Sequence, residues 1–165
     1  MTRHRQPRPI PGTILGSGHA NEIAPGLLQG GLPRYPERLA EDGIDVIVLS
    51  AREFQPDSED DFPGVEIIAV PLDDDYLGPT KAQASAAVMI ANEVIRALEA
   101  GKTVLITCAM GWNRSGMISA LTLIGRYGMS GSEAVNRVRT ARPMALSNPG
   151  FVDFLQKIPA RGEGR

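Results

Sequence analysis

At 165 residues, with 42% hydrophobic and 22% charged content, the chain has the length and composition of one soluble domain with its own core. A single cysteine excludes an internal disulfide and a cysteine-cluster zinc site, and leaves only His4 and His19 as imidazole ligands. The net charge of −2 is uneven: Arg3, Arg5 and Arg8 give the head +3, Lys157, Arg161, Arg165 and Glu163 give the tail +2, and the body keeps −7, a poor footprint for nucleic acid.

No apolar run approaches a membrane span. The head MTRHRQPRPIPG is basic and proline-rich but lacks the apolar stretch of a secretory signal. One free thiol fits a reducing setting, so a cytoplasmic protein is expected. The expected organisation is a basic tail over residues 1–12, one domain over 13–158 and a short flexible tail over 159–165.

In chain order, GLLQGGL (26–32) follows a short strand, and RYPERLAEDG reads as a short helix stopped by Gly43. IDVIVLS (44–50) is a β-branched run suited to a strand buried on both faces. REFQPDSEDDFPG reads as a solvated acidic connection. VEIIAVPL (65–72) is a second buried strand, ended by Pro71 and three aspartates. From Thr80 to Gly101 a long helix is predicted, with Ala84, Ala87, Val88, Ala91, Val94, Ile95 and Leu98 on one face. KTVLIT (102–107) is the next strand, and a helix runs from the following turn to about Gly128. Ser130 and Glu133 form a capping-box pattern opening a helix that ends near Arg142, and a last helix covers 149–158.

This alternation predicts an α/β fold with a central, mostly parallel sheet flanked by helices. Strands 65–72 and 102–107, joined by one long helix, run parallel, so their C-terminal ends share one edge. Ligands bind at that edge in open α/β folds. Asp73, Asp74 and Asp75 sit at one of those ends, and Cys108 at the other.

CAMGWNRSG, starting at Cys108, is the turn between strand and helix. The first turn of a helix offers unpaired amides and the positive end of its dipole, which together bind phosphate. Gly111 gives the backbone freedom to turn amides inward, and Arg114 brings a planar fork suited to two oxyanion oxygens. The same positive field favours the thiolate of Cys108. A thiolate inside an anion cradle is equipped to attack phosphorus.

The pattern Cys-x5-Arg-Ser between strand and helix resembles the protein tyrosine phosphatase superfamily, and most closely its compact dual-specificity members. VPLDDD is similar to their general-acid loop, and RPMALSNPGF to the segment after their late helix. The resemblance implies a phosphomonoesterase acting through a phosphocysteine on Cys108, with phosphotyrosine on a protein or peptide as first substrate and phosphoserine or phosphothreonine as others. It implies that Arg114 and the amides of Ala109, Met110, Gly111, Trp112 and Asn113 bind the phosphate. Ser115 would serve the departing thiolate, and Asp74 would be the general acid, with Asp73 and Asp75 as alternatives. No metal or other cofactor is implied, because amides and Arg114 neutralise the phosphoryl charge. Arg142 is either a second-phosphate contact, as a basic residue near this position is in some relatives, or a helix-end charge. Asn148 reads as a cap or brace. Trp112 reads as packing or as a wall of the site.

One departure stands out: the family usually has His before the cysteine, and this chain has Thr107. A Cys108 less acidic than that of relatives is expected. Other readings share or replace the chemistry. GWNRSG is similar to the loop of RNA 5′-triphosphatases, phosphoinositides are alternative substrates, rhodanese-like sulfur transfer is a different class, and a phosphate-binding pseudophosphatase is a fourth reading. The acidic body speaks against RNA, and no membrane or nucleic-acid partner is expected.

Overall fold

The computed structural model describes residues 20–55 and 59–162, apart from the side chains of Arg52 and Glu59. The basic head over 1–12, His4 and His19 lie outside these residues. Five strands, β1 (Ala20–Ala24), β2 (Leu27–Gly30), β3 (Val46–Leu49), β4 (Glu66–Ala69) and β5 (Val104–Thr107), form one sheet in the order β1-β2-β5-β3-β4. Only the β1–β2 pair is antiparallel; β2, β5, β3 and β4 all run the same way. The helices are α1 (Lys81–Glu99), α2 (Arg114–Tyr127), α3 (Gly131–Ala141) and α4 (Pro149–Gln156).

Alternation along the strands divides the core in two. Val46, Val48, Val104 and Ile106 face the apolar sides of all four α-helices, while Ile47, Leu49 and Leu105 face Leu39, Ile44, Phe62 and Val65. The helices therefore gather on one face, and the other is closed by loops and single 3-10 turns. The helix expected from RYPERLAEDG shrinks to Pro36–Arg38. The seven residues from Pro36 to Asp42 are too few to offset helix nucleation, and Leu39 alone anchors the segment.

α1 is capped as expected: Thr80 Oγ1 accepts from Gln83 N at 3.2 Å, and the Gln83 side chain accepts from Thr80 N. Its buried stripe is Ala87, Ala91, Val94 and Leu98, whereas Val88, expected there, is exposed. A turn of 100° per residue puts Val88 on the flank of a stripe centred on Ala87. The strand at 65–72 lies at the sheet edge, so Glu66 and Ala69 are exposed rather than buried. Ser130 and Glu133 form their capping box on α3. The tail drawn from residue 159 is in part structured, because Arg161 N donates to Gly128 O at 3.1 Å and its guanidinium reaches Gly125 O. No helix among the described residues is long and apolar enough to cross a membrane.

Four parallel strands end at one edge, and the segments after them carry Gly31, Glu53 and Gln55, the three aspartates, and Cys108.

Candidate active site

Cys108 follows the central strand β5 and is 3% exposed. Its Sγ lies 3.2 Å from Ser115 Oγ in the first turn of α2, so those two residues meet as the sequence suggested. Between them the backbone of 109–113 wraps into a loop whose carbonyls are held from outside. Met110 O accepts from Arg142 Nη2 at 3.1 Å, Gly111 O from Arg142 Nε at 2.7 Å and Gln29 Nε2 at 3.0 Å, and Trp112 O from Leu146 N at 3.0 Å. In a trans peptide the C=O and the following N–H point oppositely. Fixing three successive carbonyls outward therefore turns the amides of Gly111, Trp112 and Asn113 the other way. Among the described residues, no amide from Ala109 to Asn113 donates a hydrogen bond to the protein. Those donors are available to an anion.

Gly111 makes this possible. Its φ is +70°, and a Cβ there would lie 2.3 Å from the carbonyl carbon of Gly30. Gly111→Ala therefore meets both left-handed strain and a backbone clash, and should lower stability by about 2–4 kcal/mol. Urea unfolding of wild type and variant measures that loss. Gly116, in the first turn of α2, is small for a related reason: Leu146, itself in a left-handed conformation at φ 56°, packs 3.0 Å from where its Cβ would sit.

Arg114 is 6% exposed and lies across the loop. Its Nη1 donates to Glu53 and, at 3.1 Å, to Leu72 O, while its buried Nε has no partner among the described residues. Burial pushes the Glu53 carboxyl up, but the hydrogen bond from Arg114, a bond to its own backbone and the guanidinium charge together hold it below its ordinary value. The segment read as a solvated connection thus supplies a site residue. It supplies a second in Gln55, which donates to Thr107 Oγ1 at 2.7 Å and accepts from Ala51 N at 2.8 Å. Thr107 Oγ1 in turn donates to Val48 O at 2.8 Å, and Thr107 O accepts from Ser50 Oγ at 2.6 Å. The hydroxyl at the departure position has both its donor and acceptor roles filled in a fully buried setting.

The three aspartates separate by partner. Asp73 accepts from Gln83 Nε2 at 2.7 Å on α1, and Asp75 closes its own turn by accepting from Leu77 N at 2.8 Å. Asp74 alone reaches the loop, accepting from Asn113 Nδ2 at 3.1 Å on one oxygen and from Asn148 Nδ2 at 2.7 Å on the other. Asn148 also caps α4, its Oδ1 accepting from Gly150 N and Phe151 N, and donates to Asp75 O. Asn113 Oδ1 accepts from Asn148 N at 2.9 Å, so the aspartate segment, the loop and the start of α4 are joined. Close backbone packing adds to this, since a Cβ on Gly150 would lie 2.2 Å from Gly78 N.

Arg142 has a role that neither sequence reading named. It is 8% exposed, and its guanidinium donates to Met110 O, Gly111 O and, at 2.8 Å, Asn21 Oδ1. Those bonds commit it to the carbonyls of the loop. Burial lowers its pKa from the ordinary value, and the charge of Cys108 works the other way. Trp112 is half-buried. Glu53, Gln55 and Gln29 escaped sequence reasoning. The available signal was position: each closely follows, or lies in, a strand that ends at the Cys108 edge.

The description "dual specificity phosphatase, catalytic domain" matches residues 33–159. Human dual specificity phosphatase 28 is 34% identical over 144 residues, covering 82% of this chain and 74% of the relative. The crystal structure of human DUSP28 superposes with a TM-score of 0.71 at 30% identity, over 84% of this chain and 90% of that one. A mouse putative dual specificity phosphatase, solved in complex with zinc tungstate, gives a TM-score of 0.72 at 27% identity, over 95% of this chain and 91% of that one.

Proposed function

The chain belongs to the dual specificity phosphatase family and is a cysteine-based protein phosphatase, and from that premise we propose that it acts through a phosphocysteine on Cys108. Cys108 Sγ attacks phosphorus, the bond from phosphorus to the leaving oxygen breaks, and Asp74 gives that oxygen its proton. Water then attacks the phosphocysteine, passing a proton to Asp74 and releasing inorganic phosphate. Ser115 Oγ, 3.2 Å from the sulfur, donates to the departing thiolate. Arg114 and the inward amides carry the charge that gathers on the equatorial oxygens. Tungstate, present in the mouse relative's complex, is a tetrahedral oxyanion of phosphate's kind, which supports the reading of the loop as an oxyanion cradle.

The observation that carries this reading is the buried thiol at the floor of a loop whose carbonyls are held outward by Arg142, Gln29 and Leu146. The test is acid quenching during turnover of a phosphotyrosine peptide, followed by mass spectrometry of the Cys108 peptide. A phosphate adduct on Cys108 is expected; turnover with no adduct at any quench time overturns the route.

Asp74 is proposed as the general acid because it is the aspartate bound to the loop. Asp74→Ala should lower kcat/KM roughly 10²–10³-fold on alkyl phosphates but only about tenfold on p-nitrophenyl phosphate, whose leaving group needs little protonation. Equal losses would exclude it. Phosphotyrosine on protein is the proposed first substrate, with phosphoserine and phosphothreonine behind it. The body charge of −7 disfavours triphosphorylated RNA, and the family match displaces sulfur transfer. A thiol that must stay reduced to act favours a reducing compartment such as the cytoplasm. One catalytic domain over 13–158 is the organisation we retain.

A further inference from the structure

We propose that the segments around Cys108 form an apolar, acid-edged surface that selects phosphotyrosine sites flanked by bulky apolar residues and then by Lys or Arg. This rests on the phosphatase reading and goes on to the kind of sequence that carries the phosphate.

Ten large apolar side chains are exposed among the described residues, and six of them lie in the segments that build the site: Leu32, Phe54, Tyr76, Leu77, Met110 and Met144. Their placement follows from bonds already described. Met110 belongs to the loop itself. Leu32 follows Gly31, where a Cβ would be 3.1 Å from Ala109 O. Phe54 follows Glu53, the partner of Arg114. Tyr76 and Leu77 follow Asp74, bound to Asn113. Met144 lies two residues beyond Arg142, which holds Met110 O and Gly111 O. Tyr76 and Leu77 are 71% and 77% exposed, so this apolar area is presented rather than packed. Isolated exposed apolar residues are ordinary, but a group gathered around a reactive centre marks a contact surface.

Carboxylates stand beside this apolar area in the chain: Glu53, Asp60 and Asp61 in the segment that carries Phe54, and Asp73 to Asp75 directly before Tyr76 and Leu77. Arg142, which holds two carbonyls of the loop, is engaged by Met110, Gly111 and Asn21. A second anionic group beside the reacting phosphate would therefore face carboxylates. Phosphoinositide headgroups, acidic peptide flanks and an anionic bilayer are all disfavoured, while a cationic flank is steered in. Apolar contact area and a negative border together describe a phosphopeptide, not a lipid surface.

The experiment compares kcat/KM for three phosphotyrosine peptides of equal length, with apolar residues beside the phosphotyrosine and Lys further out, with alanine flanks, and with acidic flanks. Vesicles containing a phosphoinositide form a fourth arm, and p-nitrophenyl phosphate reports the chemistry alone. The apolar and basic peptide should exceed the acidic one by about tenfold or more at low salt, with the charge-dependent part shrinking as salt rises. The double variant Phe54→Ser, Leu77→Ser should keep its kcat/KM on p-nitrophenyl phosphate while the preference among peptides collapses. Equal rates on all three peptides, equal losses on peptide and p-nitrophenyl phosphate in the variant, or vesicles outpacing the best peptide would each overturn the proposal. Failure of wild type on p-nitrophenyl phosphate would instead strike the phosphatase reading beneath it.

Discussion

Cys108→Ser should abolish turnover, by at least about 10⁴-fold in kcat, while oxyanion binding survives. The loss is large because, among the described residues, no base is hydrogen-bonded to the sulfur position to activate a hydroxyl in its place. The polar side chain at its side is Ser115 Oγ, itself a hydroxyl, and the carboxylate of Glu53 is engaged by Arg114. A thiol reaches its anion near neutral pH and an alcohol does not, so the serine variant has a nucleophile in position but no means of ionising it. Binding has a different origin. The carbonyls of Met110, Gly111 and Trp112 are fixed by Arg142, Gln29 and Leu146, none of which touches the substituted atom. Removing a negative charge from the floor of the cradle also lessens repulsion of an incoming oxyanion. Tungstate titration followed by tryptophan fluorescence of Trp112 should show affinity equal to or better than wild type. Residual turnover above the expected floor, or loss of tungstate binding, would place the nucleophile or the cradle elsewhere.

Arg114→Lys should cost roughly 10³-fold in kcat/KM, although the charge is retained. Arg114 spends one nitrogen on Glu53 and Leu72 O and still has others, among them the unpartnered Nε, free for the oxyanion. An ammonium cannot hold Glu53 and Leu72 O while presenting a planar pair of donors to phosphate. Glu53→Gln tests the same arrangement by pH. The folded-state pKa of Glu53 is lowered from 4.5, so its carboxylate adds stability that is present above that value and is lost as pH falls through the lower folded value. Wild-type urea midpoints should therefore fall across that acid range partly on account of this pair, and Glu53→Gln should flatten that part of the decline. The half-exposed position of Glu53 keeps the effect small.

The chemistry of the site was legible because it is written locally. A strand, a glycine-bearing turn and a helix start occupy consecutive residues, and Cys108, Arg114 and Ser115 meet through that continuity alone. The aspartates were legible as a set because parallel strands share an edge, but only three-dimensional partners separated Asp74 from Asp73 and Asp75. Arg142 could not be assigned, since a basic residue at a helix end reads the same whether it faces solvent or the underside of a loop. Glu53 and Gln55 were hidden by composition: they sit in a run of acidic and polar residues that resembles a solvated connection in every respect except its position after β3. The shortened helix near Pro36 and the gathering of all helices on one face follow from tertiary cover, which periodicity does not encode.

The Gln55–Thr107 bond also ties two distant stretches of chain into one mechanical unit. Thr107 is wholly enclosed, its hydroxyl donating to Val48 O and accepting from the Gln55 amide, and Gln55 in turn accepts from Ala51 N. A bulkier side chain at 107 therefore has to displace Gln55 before it can enter. Gln55 lies two residues from Glu53, the partner of Arg114, so a change directly before the nucleophile would be felt at the arginine through a segment 52 residues away in sequence.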